Sequence, residues 1–155
     1  VARGVVHDLR SAAVAGGGTA STGHATAPGG APDGPEATNL VLSPGDADGV
    51  RDLCRPVTRG LYVTRLWYTN TVRERDAIVT SMTRDGTFLI EDGRITRPVR
   101  DVRITDGILD MLAAVEAIGR DPRLVGHGEF YGRRFAHGVL CPPVRIGAVR
   151  VTGGA

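Results

Sequence analysis

Ala77-Ile78-Val79-Thr80-Ser81-Met82-Thr83-Arg84-Asp85-Gly86-Thr87-Phe88-Leu89-Ile90-Glu91-Asp92-Gly93-Arg94-Ile95-Thr96 is the stretch whose reading decides the fold. It is rich in β-branched and aromatic residues, which suit a pleated, half-buried surface. Two Asp-Gly pairs interrupt it, at Asp85-Gly86 and Asp92-Gly93. A two-residue type I′ turn needs positive φ at both central positions, and Asp-Gly between β-rich runs is a strong local hairpin signal. Two such turns in succession predict a three-stranded antiparallel meander.

The elements outside this stretch extend the pattern. Val99 to Ile104 reads as a further strand. Thr105 or Asp106 then caps a helix whose apolar face would be Ile108, Leu109, Met111, Leu112, Val115 and Ile118, with Gly119 just past its end. Toward the N-terminus, Leu61 to Tyr68 is a strand with apolar or aromatic residues on both faces, as a strand covered on both sides would be. Asn39 to Leu42 is a short strand, and Asp46 caps a helix through about Cys54, stopped by Pro56. Two β segments close the chain, Phe135 to Leu140 and Val144 to Thr152. The expected class is α+β and β-dominated: a mostly antiparallel, sheet-like or barrel-like domain with two short helices.

Residues 11–38 stand apart. Of these 28 residues, 24 are Gly, Ala, Pro, Ser or Thr, and Gly16-Gly17-Gly18 lies among them. Such a composition buries too little apolar surface to offset its ordering entropy, so a long flexible Gly/Ala-rich loop is expected before a dense β-rich core at 39–155. No apolar run is long enough for a transmembrane helix. No signal peptide is visible, and Val1 already reads as structure, which suggests a piece of a longer chain.

Charge excludes further classes. The 19 basic residues, all Arg, stand against 17 acidic ones, for a net charge of +2. That balance argues against an electrostatic nucleic-acid binder. The absence of Lys excludes Schiff-base or lysine-base chemistry on this chain. Cys54 and Cys141 make no CxxC and no disulfide framework; both are expected as free thiols in a reducing compartment.

Few residues suggest chemistry. His7, His24, His127 and His137 include no HExxH pair. His127, His137 and Cys141 are of types that bind zinc, but their spacing carries little specificity. Arg94, Arg97, Arg100 and Arg103 recur every three residues; on a strand that period alternates faces, and Glu91, Asp92, Asp101 and Asp106 balance them, so a solvated, mutually paired set is expected. Trp67-Tyr68 fits a stacking platform or, more commonly, core packing. Neither GxSxG, GxxxxGK[ST] nor GxGxxG is present.

The ordered series is more specific than any single piece. Gly60-Leu61-Tyr62-Val63-Thr64-Arg65-Leu66-Trp67-Tyr68-Thr69-Asn70, then Thr80 through Ile95, then Pro98-Val99-Arg100 and Ile108-Leu109-Asp110-Met111-Leu112, resembles the C-terminal part of the TldD/TldE (PmbA) family. The resemblance extends to Asn39 through Gly45, to Ser21-Thr22-Gly23, to Pro142 through Ile146 and to Val151-Thr152-Gly153, so that 1–155 reads as the family's C-terminal domain. The sequence variants look like the actinobacterial branch. The resemblance implies a cytoplasmic zinc metallopeptidase that hydrolyses small or unfolded peptides and acts as a homodimer or a TldD–TldE heterodimer. It implies no nucleic-acid or membrane partner. In TldD-type members an HExxxH motif supplies two His ligands and the Glu base, and a Cys nearer the C-terminus supplies a third ligand.

This chain lacks the HExxxH region. It has no Cys near Glu129, where the family places one, and Cys141 lies too close to Pro142-Pro143 to match. No catalytic, cofactor-binding or metal residue is therefore assigned here. The expected contribution is dimer contact and one wall of the peptide channel, with residues 11–38 covering the site. Two alternatives are a non-catalytic TldE-like partner subunit and a standalone β-rich protein-binding domain.

Overall fold

The computed structural model describes residues 39–130 and 133–154. The loop expected at 11–38, together with His7 and His24, lies outside the described residues. The element order is β1 (Asn39–Val41), α1 (Gly49–Cys54), β2 (Arg59–Arg73), β3 (Ile78–Glu91), β4 (Arg94–Pro98), β5 (Val102–Gly107), α2 (Ile108–Ala113), β6 (Val115–Ile118), β7 (Arg123–Phe130), β8 (Arg133–Cys141), β9 (Val144–Ile146) and β10 (Val151–Gly154). The domain is α+β and β-dominated, with two short helices among the described residues and open rather than closed sheets.

The chain divides into two units. The first comprises Val1–Leu42 and Arg123–Leu140. Its described part is a three-stranded sheet in the order β1-β8-β7. β1 runs parallel to β8, with Leu40 opposite Val139, and Leu42 N–H continues the ladder to Leu140 O at 2.9 Å. β7 has no counterpart in the sequence reading; Gly126 and Gly128 break its β signal.

The second unit comprises Ser43–Pro122 and Cys141–Ala155. It is built on β3. β2 pairs with β3 along most of its length, while β4 and β5 share the other side of β3 and β10 extends the sheet beyond β5. β2 thus forms one open edge of this sheet.

The Asp92-Gly93 turn between β3 and β4 forms as expected, with φ of 47° and 78°. The other Asp-Gly pair makes no turn, because β3 runs through it. Val63 pairs with Thr87 and Arg65 with Arg84, so Asp85 and Gly86 together face the single residue Thr64. Two residues against one is a β-bulge. The positive φ that Asp-Gly favours (62° and 141°) is used to bend one strand rather than to reverse it. The Thr64 hydroxyl bonds the carbonyls of Arg84 and Gly86, both at 3.0 Å, and fastens the bulge.

The second helix is also shorter than its apolar spacing suggests. α2 ends at Ala113, and Val115–Ile118 forms β6, paired antiparallel with β9. Val115 and Ile118 suit either structure; the open backbone of β9 and the Glu116–Arg145 ion pair at 3.0 Å favour the strand. Gly119 is not a helix cap. Its N–H bonds Pro143 O at 2.8 Å, and a Cβ there would meet Pro143 Cγ at 2.8 Å.

Among the described residues the buried apolar side chains include Leu53 and Cys54 from α1 and Leu89 and Ile90 from β3. Asp48 N–H bonds the Asp52 carboxylate at 3.1 Å and steadies the start of α1. Burial pushes the Cys54 thiol above its ordinary range, and both Cys54 and Cys141 are free thiols.

Candidate functional site

The most distinctive local structure lies where β2 crosses β3 at Trp67-Tyr68. Trp67 pairs with Met82 and Asn70 with Thr80, so Tyr68 and Thr69 together face Ser81. This is a second bulge, on β2 this time. Tyr68 sits at φ 56°, a left-handed conformation uncommon for a bulky side chain. Holding it there costs on the order of 1–3 kcal/mol. The Asn70 side-chain amide donates to Tyr68 O at 3.0 Å, and Thr69 and Ser81 join hydroxyls across the strands. Both contacts fix the bulge.

The bulge turns the aromatic pair outward. Trp67 is 42% exposed and Tyr68 72% exposed, their rings edge to face with centroids 6.4 Å apart. Core packing, the commoner expectation for this pair, is therefore corrected. Leu61, Leu66 and Val72 are also exposed, which corrects the expectation that both faces of this strand are covered. The Arg65 guanidinium lies 4.4 Å from the centre of the Trp67 ring and pairs with Asp85 at 3.1 Å. Each contact contributes up to about 1 kcal/mol.

A cleft of about 420 Å³ opens beside this pair. Trp67, Met82 and Arg103 lie in one row across β2, β3 and β5, and Arg84 follows two residues along β3 on the same face. Tyr68, Asn70, Thr83 and Asp101 complete the lining. Asp101 is tied down by hydroxyls: its Oδ1 lies 2.9 Å from Thr87 Oγ1 and 3.3 Å from Thr83 Oγ1, and those two hydroxyls are 2.8 Å apart. Two hydroxyl protons serve these three contacts, while Thr83 Oγ1 also accepts the Val102 N–H at 2.9 Å. Arg103 donates to Thr80 Oγ1 at 3.3 Å, and Thr80, Thr105 and Thr152 link hydroxyls at 2.9 Å each across β3, β5 and β10.

The other sequence candidates separate. Arg94 and Arg97 lie on β4, Arg100 before β5 and Arg103 on it. All four are exposed, as expected, but the expected mutual pairing is absent among the described residues. Instead Glu91 accepts from Thr96, and Asp106 accepts the Arg150 N–H. His127, His137 and Cys141 fall on β7 and β8. Residues four apart on a strand, as His137 and Cys141 are, stand about 13 Å apart along the chain, too far to share an ion. No group of three or more His, Cys, Asp or Glu able to hold a metal occurs among the described residues. His137 and Cys141 therefore do not share a zinc centre. Arg84 adjoins Asp85-Gly86, where a turn is expected from sequence; with β3 running on through the bulge, it lines the cleft instead. No described helix is long and apolar enough to cross a membrane.

Comparisons agree with this architecture. The sequence profile of the PmbA/TldA metallopeptidase C-terminal domain matches residues 1–153. No curated protein matches the sequence. Among solved structures, TldE from Thermococcus kodakarensis is similar with a TM-score of 0.66 at 18% identity, over 88% of this chain and 28% of that one. A Thermotoga maritima protein, TM0727, described as a candidate modulator of a DNA gyrase, is similar with a TM-score of 0.67 at 20% identity, over 95% of this chain and 30% of its own. The chain thus spans less than a third of the length of these two structures.

Proposed function

Because this chain belongs to the PmbA/TldD family, matching its C-terminal domain over residues 1–153, we propose that it is the C-terminal domain of a cytoplasmic metallopeptidase acting on small or unfolded peptides. The domain forms a wall of the peptide channel and part of a homo- or heterodimer contact. The zinc-binding HExxxH residues lie in another part of the protein.

The observation that carries this reading is the free edge of β2. Fifteen residues of strand, with Leu66, Trp67, Tyr68 and Val72 exposed, have no strand paired along their outer side among the described residues. An unfolded peptide is the natural partner for such an edge, since its main chain supplies the missing ladder whatever its sequence. That matches a peptidase of broad substrate range.

Binding of a fluorescein-labelled unstructured peptide to the intact protein, followed by anisotropy, tests the wall role. Backbone N-methylation at alternate residues removes the ladder donors and should weaken binding at least tenfold; equal binding of the methylated peptide refutes strand pairing. Zinc analysis of the intact protein addresses the chemistry. Stoichiometric zinc, with peptide cleavage lost on chelation, is expected. A second reading, the metal-free TldE-like partner subunit, is favoured by the missing Cys near Glu129; it predicts no zinc and no cleavage until a TldD-type subunit is added.

A further inference from the structure

We infer that the cleft beside Trp67 is an acid-selective subsite, receiving a Glu or Asp side chain of the bound peptide on Arg84 and Arg103. This inference rests on the peptide reading above and adds a preference to it.

The charge pattern carries the argument. Arg65 and Arg84 are directly opposed on β2 and β3. Like charges in that position are destabilising. Arg65 is compensated twice, by Asp85 at 3.1 Å and by the Trp67 ring at 4.4 Å. Arg84 is not: among the described residues no carboxylate pairs with its guanidinium. Arg103, on the same face, likewise has no carboxylate partner there and only a long bond to Thr80. The carboxylate of the cleft itself, Asp101, is turned to the Thr83 and Thr87 hydroxyls.

The cleft therefore holds two guanidinium groups and one committed carboxylate, beside the apolar surface of Trp67 and Met82. A carboxylate on a short aliphatic stem suits both features: the stem lies on the ring and the thioether, and the charge meets the Arg pair. A basic side chain would add a third cation to a site that already has one too many.

Three labelled peptides of one length test this on the intact protein: one with a central Glu, one with Gln in its place, and the Glu peptide N-methylated at alternate residues. At low salt the Glu peptide should bind about fivefold more tightly than the Gln peptide, as a partly exposed ion pair allows, and the difference should shrink at 1 M salt. Arg84→Gln and Arg103→Gln should each reduce the Glu-over-Gln preference; an unchanged thermal melt verifies their folding. Equal binding of Glu and Gln peptides, or a preference that survives both substitutions, overturns the acid subsite while leaving strand pairing intact. If the Glu preference persists but N-methylation has no effect, the subsite stands and strand pairing falls. If no peptide binds, both are overturned.

Discussion

Tyr68 joins backbone strain to exposure. Its φ of 56° is unfavourable for an aromatic residue, and its ring, 72% exposed, recovers little by packing. Asn tolerates the left-handed region far better. Tyr68→Asn is therefore expected to leave stability unchanged or raise it by up to about 1 kcal/mol, read from a denaturant melt. On the peptide reading it should also weaken peptide binding. Thr83 is the opposite case. It is fully buried and its hydroxyl holds the Val102 N–H and the Asp101 carboxylate. Thr83→Val keeps the shape but strands the Val102 N–H and leaves Asp101 with Thr87 alone, at a cost of about 1–3 kcal/mol. Thr83→Ser, which keeps the hydroxyl, should lose less in the same melt.

Turns show what each element contributes. Gly93 closes the β3–β4 hairpin at φ 78°, its N–H bonds Val57 O at 2.8 Å, and a Cβ would stand 2.6 Å from Arg55 O. Gly93→Ala meets both a forbidden conformation and a backbone clash. It should destabilise by about 1–3 kcal/mol, whereas Asp92→Asn at the neighbouring position should be nearly neutral. That turn was legible in the sequence because its signal is local. The Asp85-Gly86 pair carries the same signal, yet forms a bulge, because β2 is long enough to pair past it. Residue spacing likewise could not separate helix from strand at Val115–Ile118, where the distant β9 decides. For the cleft, sequence offered Trp67-Tyr68 but not their exposure, nor Arg84. Both depend on how β2 and β3 pair, and that is set at long range.

At the scale of the whole molecule, apolar surface is distributed unusually. Among the described residues four large or sulfur-bearing apolar side chains are buried, while sixteen large ones are exposed, including Ile108, Leu109 and Leu112 of α2. A set of this kind marks surfaces that are covered in an assembly. The 155-residue chain by itself should self-associate in sedimentation velocity, and Leu66→Lys with Val72→Lys on the β2 edge should reduce that tendency. The bulges have a consequence for chain length. β3 holds one surplus residue at Asp85-Gly86, and β2 holds one at Tyr68-Thr69 and one at Val72, each absorbed where it occurs so that the pairs on either side stay matched. Deleting Gly86 should therefore straighten β3 with its other pairs kept, whereas deleting the paired residue Met82 turns the side chains beyond it to the wrong face, so the first variant should melt well above the second.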